Sequence, residues 1–119
     1  MEKLLNSEKI KKYQSAIMDL LENYVAVPYA NASSVEKQLI ADKERNRFQA
    51  IAIGWEEDEK FVYSNFLHFE IKNGKIWIQQ NWTEIPVAAE LMKRGVSQSD
   101  IVLGFLPEYA RKDTDYAVN

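Results

Sequence analysis

The sequence predicts a small α+β domain in which a long N-terminal helix packs on one face of an antiparallel sheet of four strands. Apolar residues recur every three or four positions from Ser7 to Tyr24, the spacing of one helix face. From Val35 the pattern changes to alternating and β-branched residues, which is typical of strands. The length of 119 residues matches one domain with one core. We therefore predict a single domain over residues 1–119.

The element boundaries follow from capping and turn residues. Asn6 or Ser7 is the predicted N-cap of the helix, and Pro28 lies just past its end. A loop rich in turn residues occupies 28–34. The candidate strands are 35–42, 47–55, 61–71 and 75–81. Because the connections are short, with a charged hairpin tip at 56–60, we expect the strands to form an antiparallel meander.

The pair Asn73-Gly74 predicts a two-residue type I′ turn, because both residues tolerate positive φ. This turn places Lys72 opposite Lys75 and, farther along, His68 opposite Gln79. One predicted face is an apolar layer under the helix, formed by Tyr63, Leu67, Phe69, Ile71, Ile76 and Ile78. The other face mixes rings with polar groups and is our candidate interaction surface: Phe66, His68, Glu70, Trp77 and Gln79.

In the last third of the chain, the sequence predicts a second helix and a C-terminal segment that packs against the rest of the domain. The helix covers about 86–94 and ends at Gly95 as its C-cap. The apolar run 101–105 fits a turn of helix or a brief strand, and its pattern favours neither. Beyond it, the polar segment 108–119 forms the C-terminal end of the domain. Three residues are expected to dock this segment on the body: Tyr109, Tyr116 and Val118.

Composition excludes several classes of function. Without cysteine the chain forms no disulfide and no thiolate metal site, which favours a cytoplasmic location. A net charge of -3 gives no overall positive field, so we expect no direct sequence-specific DNA binding. No apolar run reaches the roughly 20 residues that span a membrane, and four scattered glycines form no phosphate loop. We expect no cofactor.

Catalytic groups are also sparse. His68 is the only histidine, which excludes a multi-histidine metal site and leaves one ordinary acid/base for neutral pH. A catalytic histidine needs a nucleophile or an orienting carboxylate nearby, and the predicted register offers only Gln79 and Glu70. Three basic residues between the first two strands, Lys43, Arg45 and Arg47, alternate with Asp42 and Glu44. Such a patch of mixed sign fits a protein contact better than a phosphate track. We therefore expect a non-enzyme.

An ordered set of segments resembles the XisI family of cyanobacterial proteins, named as controlling factors for excision of the fdxN element. The resemblance covers nearly the whole chain. The segments that carry it are 38–40 with Asp42, Arg45 and Arg47, then Gly54-Trp55, His68, 74–79, Thr83-Glu84, 100–105, Pro107, Arg111 and Thr114. Two positions depart from the family pattern: Asn46 stands where an Asp is usual, and Leu106 stands where a His is frequent.

The resemblance implies an XisI-like fold and an accessory role in programmed DNA excision during heterocyst differentiation. It implies work beside an XisH-like partner, with a separate recombinase that breaks and rejoins the DNA, and it implies no catalytic residue. Asp42, Arg45, Arg47 and Arg111 are then candidate polar contacts.

Several alternatives stay open. Because XisH-like proteins look similar to nuclease-fold proteins, one alternative is a regulator or inhibitor of a nuclease-like partner. Another is a small-ligand-binding domain using the face of His68 and Trp77, which a deep pocket there would favour. The mixed face is covered by a partner, by a second copy in a homodimer, or by the chain's own C-terminus led by Tyr109 or Tyr116.

Overall fold

The computed structural model describes residues 2–29 and 34–119, so the middle of the predicted loop at 28–34 lies outside the described residues. The elements in chain order are α1 (Glu2–Val25), β1 (Val35–Asp42), β2 (Arg47–Trp55), β3 (Phe61–Lys72), β4 (Lys75–Asn81), α2 (Val87–Lys93), β5 (Ile101–Leu103) and α3 (Glu108–Arg111). A single turn of 3₁₀ helix, Gln98–Asp100, leads into β5. The α+β class and the four predicted strands are confirmed, with boundaries within one residue.

The sheet has five strands in the order β1-β2-β3-β4-β5, not the four that we predicted. The first three pairs are antiparallel, whereas β4 and β5 are parallel, so the sheet is mixed. The ambiguous run 101–105 supplies this strand, since Ile101–Leu103 pairs with Ile76–Ile78. A strand of three residues shows no alternation, and its parallel partner is reached only through the α2 crossover. Local pattern therefore could not identify it.

Helix α1 begins earlier than predicted. Because it starts at Glu2, Asn6 and Ser7 lie inside the helix and do not cap it. The residues from Glu2 to Leu5 are strong helix formers, which extends the helix past both polar residues. Of the predicted apolar stripe, Tyr13, Ile17, Leu20 and Leu21 are buried, whereas Ile10 and Tyr24 at its ends are partly buried.

The two sides of the sheet differ in cover. We call the side under α1 and α2 the helix face and the opposite side the open face. The core between helices and sheet includes the fully buried Phe48, Leu67, Phe69, Ile76 and Ile78. Helix α2 ends just before Gly95 as predicted, but the C-cap is Arg94; Gly95 follows it with φ +94°, and its N–H donates to the Met92 carbonyl.

Two β-bulges in β3 and β4 change the predicted register. The turn at Asn73-Gly74 is confirmed by positive φ at both residues. The pairing runs as predicted to Phe69 opposite Ile78, and then shifts so that His68 lies opposite Gln80. The predicted pair of His68 with Gln79 is therefore wrong.

The second bulge lies between β2 and β3. There the pair Ala50–Leu67 is followed by Ile51–Asn65, which leaves Phe66 as the extra residue. Each extra residue reverses the alternation of sides along its strand. As a result Tyr63, predicted to be core, lies on the open face with 67% of its surface exposed.

The core assignment of β3 predicts a large difference between two neighbouring residues. Phe69→Ala should lower the free energy of unfolding by about 3–5 kcal/mol, because it removes a fully buried ring. His68→Ala should lower it by about 1 kcal/mol or less, since it removes one partly exposed hydrogen bond. Urea unfolding of both variants measures the difference, and the reverse order would show that the two faces are exchanged.

Candidate functional site

The open face changes in character along strands β2 and β3. From the β2–β3 hairpin tip toward the other end, the opposed pairs are Trp55–Phe61, Ile53–Tyr63, Ile51–Asn65, Gln49–His68 and Arg47–Glu70. Side chains directly opposite each other in an antiparallel pair share one face and are close enough to interact. The face is therefore aromatic near the tip and charged at the far end.

The aromatic end is exposed. We define the aromatic patch as Trp55, Phe61 and Tyr63, whose exposed fractions are 55%, 49% and 67%. The rings of Trp55 and Phe61 lie 5.0 Å apart at an interplanar angle of 58°, a favourable tilted arrangement. Monomeric proteins seldom expose large aromatic side chains in a contiguous group unless the group has a partner. Sequence reasoning missed the aromatic patch, although Trp55 and Phe61 directly flank the charged tip 56–60.

The charged end holds three of the predicted residues together. We define the polar cluster as Arg47, His68 and Glu70. Oε2 of Glu70 lies 3.1 Å from Nε2 of His68 and 3.6 Å from Nε of Arg47. His68 and Glu70 are partly buried, with side chains 22% and 16% exposed. One carboxylate thus holds the imidazole and the guanidinium in place on the open face.

The turn between β1 and β2 places Asp42 and Arg45 next to this cluster. Oδ1 of Asp42 accepts hydrogen bonds from the backbone N–H groups of Glu44 and Arg45, and Oδ2 accepts one from Nη1 of Arg45. These bonds, led by that of the Arg45 backbone, hold the pKa of Asp42 below its usual value. Since Asp42 also pairs with Arg47 across the strands, the predicted polar contacts of this turn are contiguous.

Trp77 is covered by the chain's own C-terminal segment. The guanidinium carbon of Arg111 lies 5.0 Å from the centroid of the Trp77 ring, and Nζ of Lys72 lies 4.3 Å from it. Gly104 lies against the same ring, because a β-carbon there would lie 3.2 Å from Trp77 Cε3. The cover is led by Arg111 and not by Tyr109, which is 76% exposed, whereas Tyr116 packs against the core.

Hydrogen bonds fix the position of Arg111. Its Nε donates to the Leu106 carbonyl at 3.0 Å and its Nη1 donates to the Val118 carbonyl at 3.1 Å. Ala117 of the same segment pairs with the outer edge of β5, because its N–H donates to the Ile101 carbonyl at 2.8 Å. Arg111 therefore joins the start and the end of the C-terminal segment above Trp77.

The remaining two predicted surface residues lie elsewhere. The ring of Phe66 lies 6.4 Å from Tyr29, whose hydroxyl is 3.2 Å from that of Tyr24 in α1. Phe66 thus turns toward the helix face. Gln79 lies against Gly104, beside Trp77. Of the predicted contact surface, His68, Glu70 and Trp77 stay neighbours on the open face, because Glu70 lies directly opposite Trp77, whereas Phe66 does not lie with them.

A cavity of about 380 Å³ lies on the helix face near the end of α1. Lys37, one of its lining residues, donates to the Tyr24 carbonyl at 3.2 Å, and its Nζ lies 4.0 Å from the Tyr24 ring centroid. Burial lowers the pKa of Lys37. Lys37 thus comes from β1 to satisfy a carbonyl in the last turn of α1, which is a structural role.

Within residues 2–29 and 34–119, the structure has no cluster of three or more side chains suited to hold a metal ion. No helix in that part of the chain is both long and apolar enough to cross a membrane.

Comparison with known proteins identifies the family. A family model described as XisI protein matches residues 7–118. The chain belongs to the XisI family. None of the curated proteins compared with the chain matches it.

Two crystal structures from Anabaena variabilis ATCC 29413 share the XisI fold of this chain. An XisI-like protein is 44% identical, with a TM-score of 0.84 over 92% of this chain and 99% of its own. The protein named fdxN element excision controlling factor XisI is 29% identical, with a TM-score of 0.78 over 93% of this chain and 99% of its own. The resemblance found in the sequence is thus confirmed for family and fold.

The bonds of Arg111 predict that it secures the C-terminal segment. Arg111→Ala should lower the free energy of unfolding by about 2 kcal/mol, since it removes two hydrogen bonds from a charged donor and the stacking on Trp77. Hydrogen exchange at the Ala117 amide should become faster. Lys112→Ala is the matched control, because the neighbouring Lys112 is exposed. Equal losses in urea unfolding of both variants would contradict the assignment.

Proposed function

We propose that this chain is a non-enzymatic accessory factor in the controlled excision of a DNA element and acts in the cytoplasm by protein contact. The contact partner is an XisH-like protein, and a separate recombinase carries out the DNA chemistry. The observation that carries this proposal is the exposed aromatic patch of Trp55, Phe61 and Tyr63, which lies on the sheet face opposite α1 and α2. Tryptophan and tyrosine are among the residues most enriched at binding hot spots.

A protein partner fits this surface better than a small ligand. The small-ligand alternative needs His68 and Trp77 to line one site. The side chains of Arg111 and Lys72 instead lie over the Trp77 ring and occupy the space that a ligand would need. The aromatic patch stands on an extended pair of strands, which suits a broad contact.

The charge around the aromatic patch favours a basic partner surface. The hairpin tip 56–60 carries four carboxylates and one lysine. None of the ion pairs formed within the described part of the chain engages these carboxylates. Negative groups at the rim of an apolar contact steer a positively charged partner and exclude negatively charged ones.

This charge also supports a second candidate function, the regulation or inhibition of a nuclease-like partner. The substrate-binding cleft of a nuclease is positively charged, because it must attract phosphates. An acidic hairpin tip beside exposed aromatic side chains has the charge and the apolar surface to occupy such a cleft. Both candidates place the contact at the same end of the open face.

The proposed partner contact predicts a loss of copurification. When the chain is coexpressed with the XisH-like protein, Trp55→Ala and Tyr63→Ala should each weaken the complex about tenfold or more, the usual effect of removing a hot-spot ring. Trp82→Ala is the matched control, because Trp82 is 66% exposed and lies outside the aromatic patch. Loss of the complex with Trp82→Ala alone would place the contact elsewhere, and no complex with the unaltered chain would reject the partner.

The proposed role excludes direct reading of DNA. The isolated chain should bind duplex DNA only as weak non-specific background, because its net charge is -3 and the open face ends in carboxylates. A gel-shift assay at physiological salt measures this binding. Sequence-selective binding at nanomolar concentration would show that the chain contacts the DNA itself.

A further inference from the structure

The two edges of the sheet are protected differently. The β5 edge is only three residues long, and Ala117 forms a bridge to Val102 outside it. The β1 edge is eight residues long, contains no proline and pairs with β2 without a bulge. No other described strand pairs with its outer side. A long, regular edge with which no described strand pairs is a site at which another strand can pair.

The hydrogen-bond pattern identifies the backbone groups that β1 turns outward. The Trp55 N–H donates to the Ser34 carbonyl at 3.3 Å, so Ser34 directs its carbonyl toward β2. In an antiparallel pair, the backbone N–H and C=O groups of successive residues point alternately toward and away from the neighbouring strand. The backbone groups of Glu36, Gln38 and Ile40 therefore also bond to β2. The residues whose N–H and C=O groups point away from the sheet are then Val35, Lys37, Leu39 and Ala41.

We propose that β1 pairs antiparallel with β1 of a second copy of this chain, about a two-fold axis at Gln38. In this register Val35 lies opposite Ala41 of the partner, Lys37 lies opposite Leu39 of the partner, and Gln38 meets its own copy. Every outward N–H and C=O of these four residues on each chain then has a backbone partner. The contact is isologous, as the interface of a two-fold dimer must be.

Side-chain charge selects this register over its neighbours. An axis at Leu39 would place Glu36 of each chain opposite Asp42 of the other chain. An axis at Lys37 would place the Lys37 side chains of the two chains opposite each other. Like charges directly opposite in a sheet are destabilising. With the axis at Gln38, the charged Glu36 lies opposite Ile40 of the partner, so no like charges meet. The strand is thus complementary to itself in one register.

Opposite charges at the axis test the proposal. The unaltered chain should sediment at twice the chain mass of 13.8 kDa. Gln38→Lys and Gln38→Glu should each raise the dimer dissociation constant about tenfold or more, because each places two like charges at the axis. An equimolar mixture of the two variants should restore the dimer, since lysine then meets glutamate. Restoration requires two copies of this chain and excludes another protein as the occupant of the edge.

The matched controls are Gln49→Lys and Gln49→Glu, which carry the same charges on the same face one strand inward. These variants should leave the dimer unchanged. A wild-type chain that sediments at 13.8 kDa at every concentration overturns the proposal. A dimer that persists in both Gln38 variants, or one that Gln49 variants disrupt equally, also overturns it. None of these three results bears on the partner contact at the aromatic patch.

Discussion

The alternation of side chains across the sheet is the constraint on which the rest of this structure depends. A strand sends successive residues to opposite faces, so a single extra residue exchanges the faces for everything beyond it. Phe66 in β3 and Gln79 in β4 are such residues. The first sends Tyr63 to the open face while Leu67 and Phe69 stay in the core. The inserted residue thus brings Phe61 and Tyr63 to the same face as Trp55.

The helix face stabilises the fold independently of the open face. The buried cluster joins α1 and α2 to the inner sides of all the central strands. Because burial of apolar area is the dominant favourable term in folding, the opposite side is free to carry residues that do not stabilise the monomer. Where the open face is covered, at Trp77, the cover is held by hydrogen bonds of Arg111 and by close packing at Gly104. One part of the open face, at Trp77, is therefore covered by the C-terminal segment, and another part, the aromatic patch, is exposed.

Sequence reasoning identified those parts of the fold that are encoded locally. The helical spacing of α1, the strands β1 to β4 and the turn at Asn73-Gly74 depend on neighbours along the chain, and the structure confirms them. The strand β5 depends on a parallel partner brought close by a crossover, which no local pattern shows. The two bulges depend on how neighbouring strands fit together.

For the candidate site, as for the fold, the sequence pattern predicted only what depends on neighbours along the chain. Of the polar cluster, His68 and Glu70 were predicted to share a face because they are two residues apart in β3, whereas Arg47 was predicted only as a polar contact beside the first turn. Residues beyond a bulge were assigned to wrong partners or faces, as for Gln79 and Tyr63. The cover on Trp77 was anticipated as an alternative, but its leading residue was not. A guanidinium over a ring leaves no signature in sequence spacing.

The proposed edge contact and the proposed partner contact are compatible because of their geometry. A two-fold axis at Gln38 perpendicular to the sheet keeps both open faces on one side of a continuous sheet of ten strands. Since β1 pairs antiparallel, the two aromatic patches then lie toward opposite ends of that surface. The two acidic hairpin tips point away from each other, which reduces their mutual repulsion. A dimer would therefore present two separate partner sites on one surface, and a partner with two matching sites would bind it more tightly than it binds one copy.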